Sequence, residues 1–262
     1  MQLKYLDNYN FICKREEILE DSIKRKKSLE YNSTIYLDKF YAEDDYLYYH
    51  IKELDIKLKI NGKKLKFEVI ILYIFCSLIL GINKKEGFAH VFNKKNLIYR
   101  FGILKNIIKD KKDLYERINF FENILKDDKQ LFFYINKKIY INILFFNPYF
   151  KNKNFNTEEN TFYLTSFFSE ITLPIKMKKN IYNDKIEILG EIDYFELDIN
   201  ILKQYIEDMY NCYVEKLNFY YKLVLIVCDG KIKKICNEII LKVPNKVEIK
   251  EIITIFEKNL ED

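Results

Sequence analysis

Residues 55–82 read DIKLKINGKKLKFEVIILYIFCSLILGI, a β-hairpin pattern that continues into the longest uncharged stretch of the chain. Asn61 and Gly62 favour the two positive φ angles of a type I′ turn, and apolar and charged residues alternate on both sides of them. This turn sets a register in which Lys59 lies opposite Lys64. The hairpin is therefore predicted to bury one apolar face and to present lysines on the other.

The lysine face needs either a partner or open water, because like charges directly opposite each other destabilise a sheet. In proteins that hold single-stranded nucleic acid, lysines contact phosphates and aromatic rings stack on bases. Lysine on an exposed strand also protects a sheet edge against aggregation. The candidate anion- or partner-binding surface comprises Lys57, Lys59, Lys64, Lys66, Lys84, Lys85, Phe88, His90, Phe92, Lys94, Lys95 and Arg100.

Charge is distributed unevenly along the chain, whose formal net charge is +5. Residues 57–117 hold 15 basic and 5 acidic side chains, whereas residues 184–215 hold 9 acidic side chains and 2 lysines. The candidate acidic partner face comprises Glu187, Glu191 and Asp193. This polarity suits an anionic partner, a second copy of the chain, or contact between its own two halves.

The composition is that of a chain able to bury a large core, with 262 residues of which 49% are hydrophobic. Its richness in Lys, Tyr and Phe and its 6 Gly, 3 Pro and absent Trp match the codon usage of an AT-rich genome. Five cysteines without a CxxC pair predict reduced thiols. The apolar run at 69–82 is shorter than the ~17 residues that a spanning helix needs. We expect a soluble cytoplasmic protein without a membrane span.

Hairpins separated by helices, without a βαβ rhythm, predict an α+β fold with a mostly antiparallel sheet. Hairpin turns are expected at Asn61-Gly62, Asn136-Lys138 and Asp229-Gly230, and packed helices at 14–30, 103–127, 200–217 and 246–260. The last helix would begin after Pro244, with Asn245 as N-cap and Glu248 in the capping box. Periodicity leaves 69–82 open between strand and helix.

A strand over 46–60 is expected to bury its even-numbered side chains, with a bend or bulge near Lys52. The chain is predicted to form a single domain over 1–262. The Asn-rich loop at 147–160 is the place where it would divide into a basic part, 1–146, and a part with the acidic tract, 161–262.

No residue pattern in the sequence predicts a catalytic site. His50 and His90 are the two histidines, and no GxSxG, P-loop, HExxH or zinc pattern is present. We therefore assign no catalytic residue, metal or cofactor, and we lean against an enzyme. The expected function is that of an interaction protein whose charge-polarised surface binds a protein partner, with self-association as one form. The alternative is a nucleic-acid-binding protein, with nuclease activity as an option, that uses the lysine and aromatic surface between 57 and 105.

Overall fold

A computed structural model describes the chain in segments. They cover residues 8–19, 25–42, 46–65, 72–83, 89–110, 112–136, 138, 141, 143, 160–165, 167–168, 170–228 and 231–257. The strands are β1 (Asn8–Leu19), β2 (Arg25–Ala42), β3 (Tyr46–Ile60), β4 (Lys63–Lys64), β5 (Ser77–Asn83), β6 (Ala89–Val91), β7 (Asn160–Leu164), β8 (Leu173–Ile181), β9 (Lys185–Ile192), β10 (Asn218–Cys228), β11 (Lys231–Val243) and β12 (Val247–Glu257). The helices are α1 (Lys94–Ile108), α2 (Lys112–Lys126), α3 (Asp128–Asn136) and α4 (Ile199–Tyr210).

The predicted fold class is wrong in its balance of sheet and helix. Within the described residues the strands form one open sheet of twelve strands, and the helices are short. The strand order is β6-β5-β3-β2-β1-β12-β11-β10-β9-β8-β7, with β4 beside β3. The fold is therefore mainly a broad antiparallel sheet, and the expected packing of hairpins with long helices does not describe it.

The helix expected at 246–260 is a strand, β12, paired with β1 and β11. Its inward side chains alternate strictly, and all five are buried: Val247, Ile249, Glu251, Ile253 and Ile255. The same segment also places apolar residues three and four apart, so its pattern fits the period of a helix as well as that of a strand. Its β-branched residues favour the extended backbone. Asn245, the expected N-cap, lies in the turn before β12 with a φ of 58°.

Two further predictions fail where local helix signals compete with strand signals. The hairpin expected around Asn136-Lys138 is replaced by α3, which begins after Asp127; the Asp127 carboxylate accepts hydrogen bonds from the backbone N–H groups of Lys129 and Gln130. Residues 14–30, expected as a surface helix, lie instead in β1 and β2 over their described part. An N-terminal cap such as that of Asp127 on α3 stabilises a helix by about 1 kcal/mol.

The two other predicted helices are present with different bounds. The helix expected at 103–127 is two helices, α1 and α2, and α1 already begins at Lys94. The helix expected at 200–217 is α4, which Asp198 caps at its first turn. It ends early because Asn211 takes a left-handed conformation with a φ of 50°.

The first hairpin is confirmed. Lys59 pairs with Lys64, and Asn61 and Gly62 have φ angles of 48° and 76°. The second strand stops at Lys64. Residues 73–75 form a 3-10 turn before β5, so the open segment 69–82 is a short turn and then a strand over its described part, 72–82. The strands on either side of the third expected turn pair as β10 and β11. Asp229 and Gly230 themselves lie outside the described residues.

The side chains of β3 change faces part-way along the strand. Leu47, Tyr49, Ile51 and Glu53 are buried, so the inward residues are odd-numbered there, and the expected even-numbered set is wrong. The next buried side chain is Ile56. Asp55, with a φ of 53°, lies between the two patterns. A single left-handed residue in a strand is typical of a β-bulge, in agreement with the bend expected near this point.

The chain divides into two compact units. Unit 1 comprises residues 1–34, 55–65 and 154–262, and unit 2 comprises 35–54 and 66–153. The core of unit 1 is the inward face of β1 and β9–β12 with α4, and that of unit 2 is built from β5, α1, α2 and α3. The division at 147–160 stays a prediction.

Candidate interaction site

One face of α1 packs into unit 2. Leu97, Phe101, Leu104 and Ile108 are buried, and they recur at the three- and four-residue steps of a helix. This inner face explains why the segment is helical: it gives the helix an apolar stripe to bury. The opposite side of an amphipathic helix is normally polar.

The opposite side of α1 is also apolar. Tyr99 and Ile107 are each 71% exposed, and Ile98 and Ile103 are exposed as well. Tyr99, Ile103 and Ile107 are four residues apart, so they form a line about 12 Å long on the helix surface. We call these three side chains the α1 face; Ile98, nine residues before Ile107, lies on the opposite side of the helix axis. Single exposed apolar residues are ordinary, but a contiguous apolar patch marks an interaction site.

Gly102, next to Ile103 in the sequence, has open space around it. A Cβ atom added there would have no heavy atom within 4 Å. At Gly81 and Gly190, by contrast, an added Cβ would collide with the side chains of Phe92 and Ile175. A glycine inside a helix costs about 1 kcal/mol relative to alanine. Packing within the chain requires Gly81 and Gly190 but does not require Gly102, which leaves room for the close approach of a partner.

The helix α1 carries basic side chains and no acidic ones: Lys94, Lys95, Arg100 and Lys105. Lys94 Nζ lies 2.5 Å from Asp128 Oδ1, and Lys105 Nζ lies 2.5 Å from Glu122 Oε2. Hydrogen bonding to Glu122 raises the pKa of Lys105. Arg100 donates a hydrogen bond of 3.4 Å to the Ser77 carbonyl, and Lys95 is exposed. Carboxylates of the neighbouring helices thus pair with Lys94 and Lys105, which leaves Lys95 and Arg100 as the basic side chains beside the apolar line.

The predicted lysine face of the hairpin is partly neutralised. Lys59 Nζ lies 2.9 Å from Glu30 Oε2, and hydrogen bonding to Lys59 lowers the pKa of Glu30. Lys57 and Lys64 are exposed. Lys66, Lys84, Lys85 and Phe88 lie outside the described residues. Of the four hairpin lysines Lys57, Lys59, Lys64 and Lys66, the structure thus shows two, Lys57 and Lys64, as exposed cations.

The two histidines are placed in aromatic and hydroxyl surroundings in unit 2. His90 packs against Phe132 and Tyr46, with ring centroids 5.2 Å and 6.1 Å apart. His50 Nε2 lies 2.9 Å from Ser77 Oγ, and burial lowers the pKa of His50. Phe92 is exposed and lies edge-on to Tyr48. Within the described part of the chain, no group of three or more His, Cys, Asp or Glu side chains is arranged to hold a metal ion.

The three residues of the predicted acidic face have different surroundings. Glu187 is half-buried and lies 2.8 Å from Lys222 Nζ; this hydrogen bond lowers the pKa of Glu187. Glu191 is exposed. Asp193 is buried, and its carboxylate accepts hydrogen bonds from the Phe195 N–H at 3.0 Å and from Thr161 Oγ1 at 3.2 Å. Asp193 thus fixes a turn.

A charged cluster is buried on the inward face of the unit 1 sheet. Glu251 is 1% exposed, and Arg15 Nη1 lies 3.7 Å from its Oε2. Arg15 also donates hydrogen bonds to Glu17 Oε1 at 3.1 Å and to the Phe167 carbonyl at 2.5 Å. Glu251 Oε1 has no hydrogen-bond partner among the described residues. Burial raises the pKa of Glu251 to about 7, against the opposing charge of Arg15.

The sequence prediction missed Tyr99, Ile103 and Ile107 as site residues. The expected helix began at 103, so Tyr99 fell outside it. The available signal was the line of apolar residues at 99, 103 and 107, which lies apart from the buried stripe at 97, 101, 104 and 108.

Comparisons with known proteins give no name for this arrangement. No family model and no curated protein matches the chain. A solved structure of lipovitellin that concerns its lipid–protein interactions is similar over 98% of this chain, with 10% identity and a TM-score of 0.46. The alignment covers 25% of that lipovitellin chain. A similarity at this level supports no argument about function. No helix among the described residues is both long and apolar enough to cross a bilayer.

Proposed function

We propose that the protein is a non-enzymatic interaction protein that docks a protein partner on the α1 face. The observation that carries the proposal is the exposure of Tyr99, Ile103 and Ile107 on a helix that already buries another side. Leaving such side chains in water is unfavourable by about 25 cal/mol per Å² of apolar surface. A partner that covers them recovers this free energy.

The basic side chains around the α1 face define the chemistry of that partner. Lys95 and Arg100 lie on the same helix as Tyr99, and α1 has no acidic residue. A partner with an apolar ridge flanked by carboxylates would match both features. Nucleic acid matches the charge but leaves the two isoleucines of the α1 face without an apolar counterpart, so a protein partner fits better. The proposal places this contact in the cytoplasm, where the cysteines of the chain would stay reduced.

A photo-crosslinking amino acid at Tyr99 tests the proposal in the native cell, with the same group at Tyr213 as the matched control. Both side chains are more than two-thirds exposed, and Tyr213 lies outside the α1 face. We expect a protease-sensitive adduct from position 99 that is absent from position 213. No adduct at position 99, or equal adducts at both positions, would overturn the proposal.

Nucleic-acid binding is a separate outcome of the same experiment. An adduct at position 99 that nuclease removes would favour the alternative function. In that case retention on heparin should fall steeply between low and physiological salt, because counterions are released on binding. Replacement of Lys57, Lys59, Lys64 and Lys66 by glutamine should then weaken that retention.

A further inference from the structure

A turn in unit 1 presents aromatic side chains in the opposite electrostatic setting to the α1 face. Phe195 is 93% exposed, and Tyr194 beside it is exposed. Tyr163 donates a hydrogen bond of 2.5 Å to Glu196 Oε2 and is itself exposed. Glu191, Glu196 and Asp198 are exposed around these rings. We call this surface the aromatic turn.

The aromatic turn is held in place by the buried Asp193. The Asp193 N–H donates to the Pro174 carbonyl at 2.8 Å, and the Asp193 carbonyl accepts from the N–H groups of Glu196 and Leu197. With its carboxylate on the Phe195 N–H, this residue fixes both ends of the turn. Lys176 Nζ lies 4.9 Å from the centroid of the Phe195 ring. A rigid exposed aromatic loses little conformational entropy on binding, as interface anchors do.

The aromatic turn and the α1 face are complementary in charge. The turn offers projecting rings with Glu191, Glu196 and Asp198 around them, whereas the helix offers an apolar line with Lys95 and Arg100 beside it. Gly102, beside Ile103, leaves the helix surface open. Both surfaces are exposed to solvent within a single chain, so each is free for contact with another molecule.

We infer that the partner of the α1 face is a second copy of this chain, which inserts its aromatic turn. This inference rests on the proposed function and names its partner. The inferred contact is head-to-tail and therefore heterologous: a pair of copies joined by it keeps one α1 face and one aromatic turn unoccupied. Association therefore continues beyond a dimer, into a closed ring or an open chain of copies.

Two variants that each lose one surface test the inference by sedimentation velocity at low salt. Tyr99→Glu places an acidic group on the α1 face, and Phe195→Ala removes the ring of the turn. We expect the wild type to form a series of oligomers and each variant alone to associate at least tenfold more weakly. An equimolar mixture of the two variants retains one intact contact, so it should form dimers and nothing larger.

The control variant Tyr213→Glu adds the same charge outside both surfaces and should associate like the wild type. Circular dichroism and thermal melts should show that all three variants fold. A wild type that stays monomeric at high concentration, or a mixture that fails to form dimers, overturns the inference. If the adduct at position 99 holds a different protein while the chain stays monomeric, the proposed function stands and the inference is wrong.

Discussion

Each unit of the protein buries a glutamate in a sheet strand, and the two side chains are held differently. In unit 2, Glu53 Oε2 lies 3.4 Å from Lys138 Nζ, whose side chain is itself nearly buried. That ammonium also lies 5.8 Å from the centroid of the Phe75 ring. In unit 1, Glu251 lies 3.7 Å from Arg15, a cation that Glu17 and the Phe167 carbonyl share.

The difference shows that burial alone does not decide what a carboxylate does. Glu53 has a close cation on its own side of the core, so its charge is balanced locally. Glu251 has a more distant cation and an oxygen without a hydrogen-bond partner among the described residues, so burial dominates and raises its pKa to about 7. One glutamate behaves as half of an ion pair and the other as a group that titrates near neutrality.

Removing the cation beside Glu53 should have the largest effect. In Lys138→Met the carboxylate stays buried while its close ammonium is lost, and we expect the free energy of unfolding to fall by about 3 to 5 kcal/mol. Urea denaturation measures this loss. The double variant Glu53→Met with Lys138→Met should recover most of it, because replacing both members of a buried ion pair is often neutral.

The matched control for this change is Lys26→Met. Lys26 Nζ lies 2.9 Å from Glu16 Oε1 in a pair whose side chains are both about half exposed. Exposed pairs contribute less than about 1 kcal/mol. An equal loss in the free energy of unfolding in Lys26→Met and Lys138→Met would show that burial does not increase the contribution of the Glu53–Lys138 ion pair.

The second effect is the contribution of Glu251 to the pH dependence of stability. Its pKa in the folded chain, about 7, lies above the ordinary glutamate value of 4.5. Between these values the folded state holds the extra proton, so this contribution to stability falls as the pH rises and levels off above about pH 8. At about 1.36 kcal/mol per pKa unit, the total is about 3 kcal/mol.

The variant Glu251→Gln keeps the shape and removes the titration. Its stability relative to the wild type should therefore increase by up to about 3 kcal/mol between about pH 4 and pH 8. Denaturation curves at a series of pH values measure the difference. A constant difference across the series would mean that Glu251 is ionised in the folded protein throughout.

The smallest effect is expected when Arg15 is replaced. Arg15→Gln removes the cation that lowers the pKa of Glu251, so the midpoint of the pH dependence should move above its wild-type position. The loss of the hydrogen bond to the Phe167 carbonyl should reduce stability by about 1 to 2 kcal/mol. If the midpoint of the pH dependence moves to lower pH or stays in place, Arg15 does not lower the pKa of Glu251.

The hairpin at Asn61-Gly62 could be predicted because two adjacent residues fix both turn angles and register. Residues 247–257 could not, because their apolar residues fit a helix and a strand equally well and pairing with β1 and β11 decides between them. Read as a strand, this segment would have placed Glu251 on the inward face. The α1 face was missed for a related reason: a pattern of apolar residues does not say which of two apolar sides the rest of the chain covers.

The change of face at Asp55 makes the number of residues in β3 part of its structural information. A deletion of this one residue would leave the hydrophobic content of the strand unchanged. It would place Glu53 and Ile56 two residues apart, so regular alternation alone would bury both, because strand side chains alternate. In the strand as it stands, Asp55 is the extra residue that lets Glu53 and Ile56, three residues apart, both be buried.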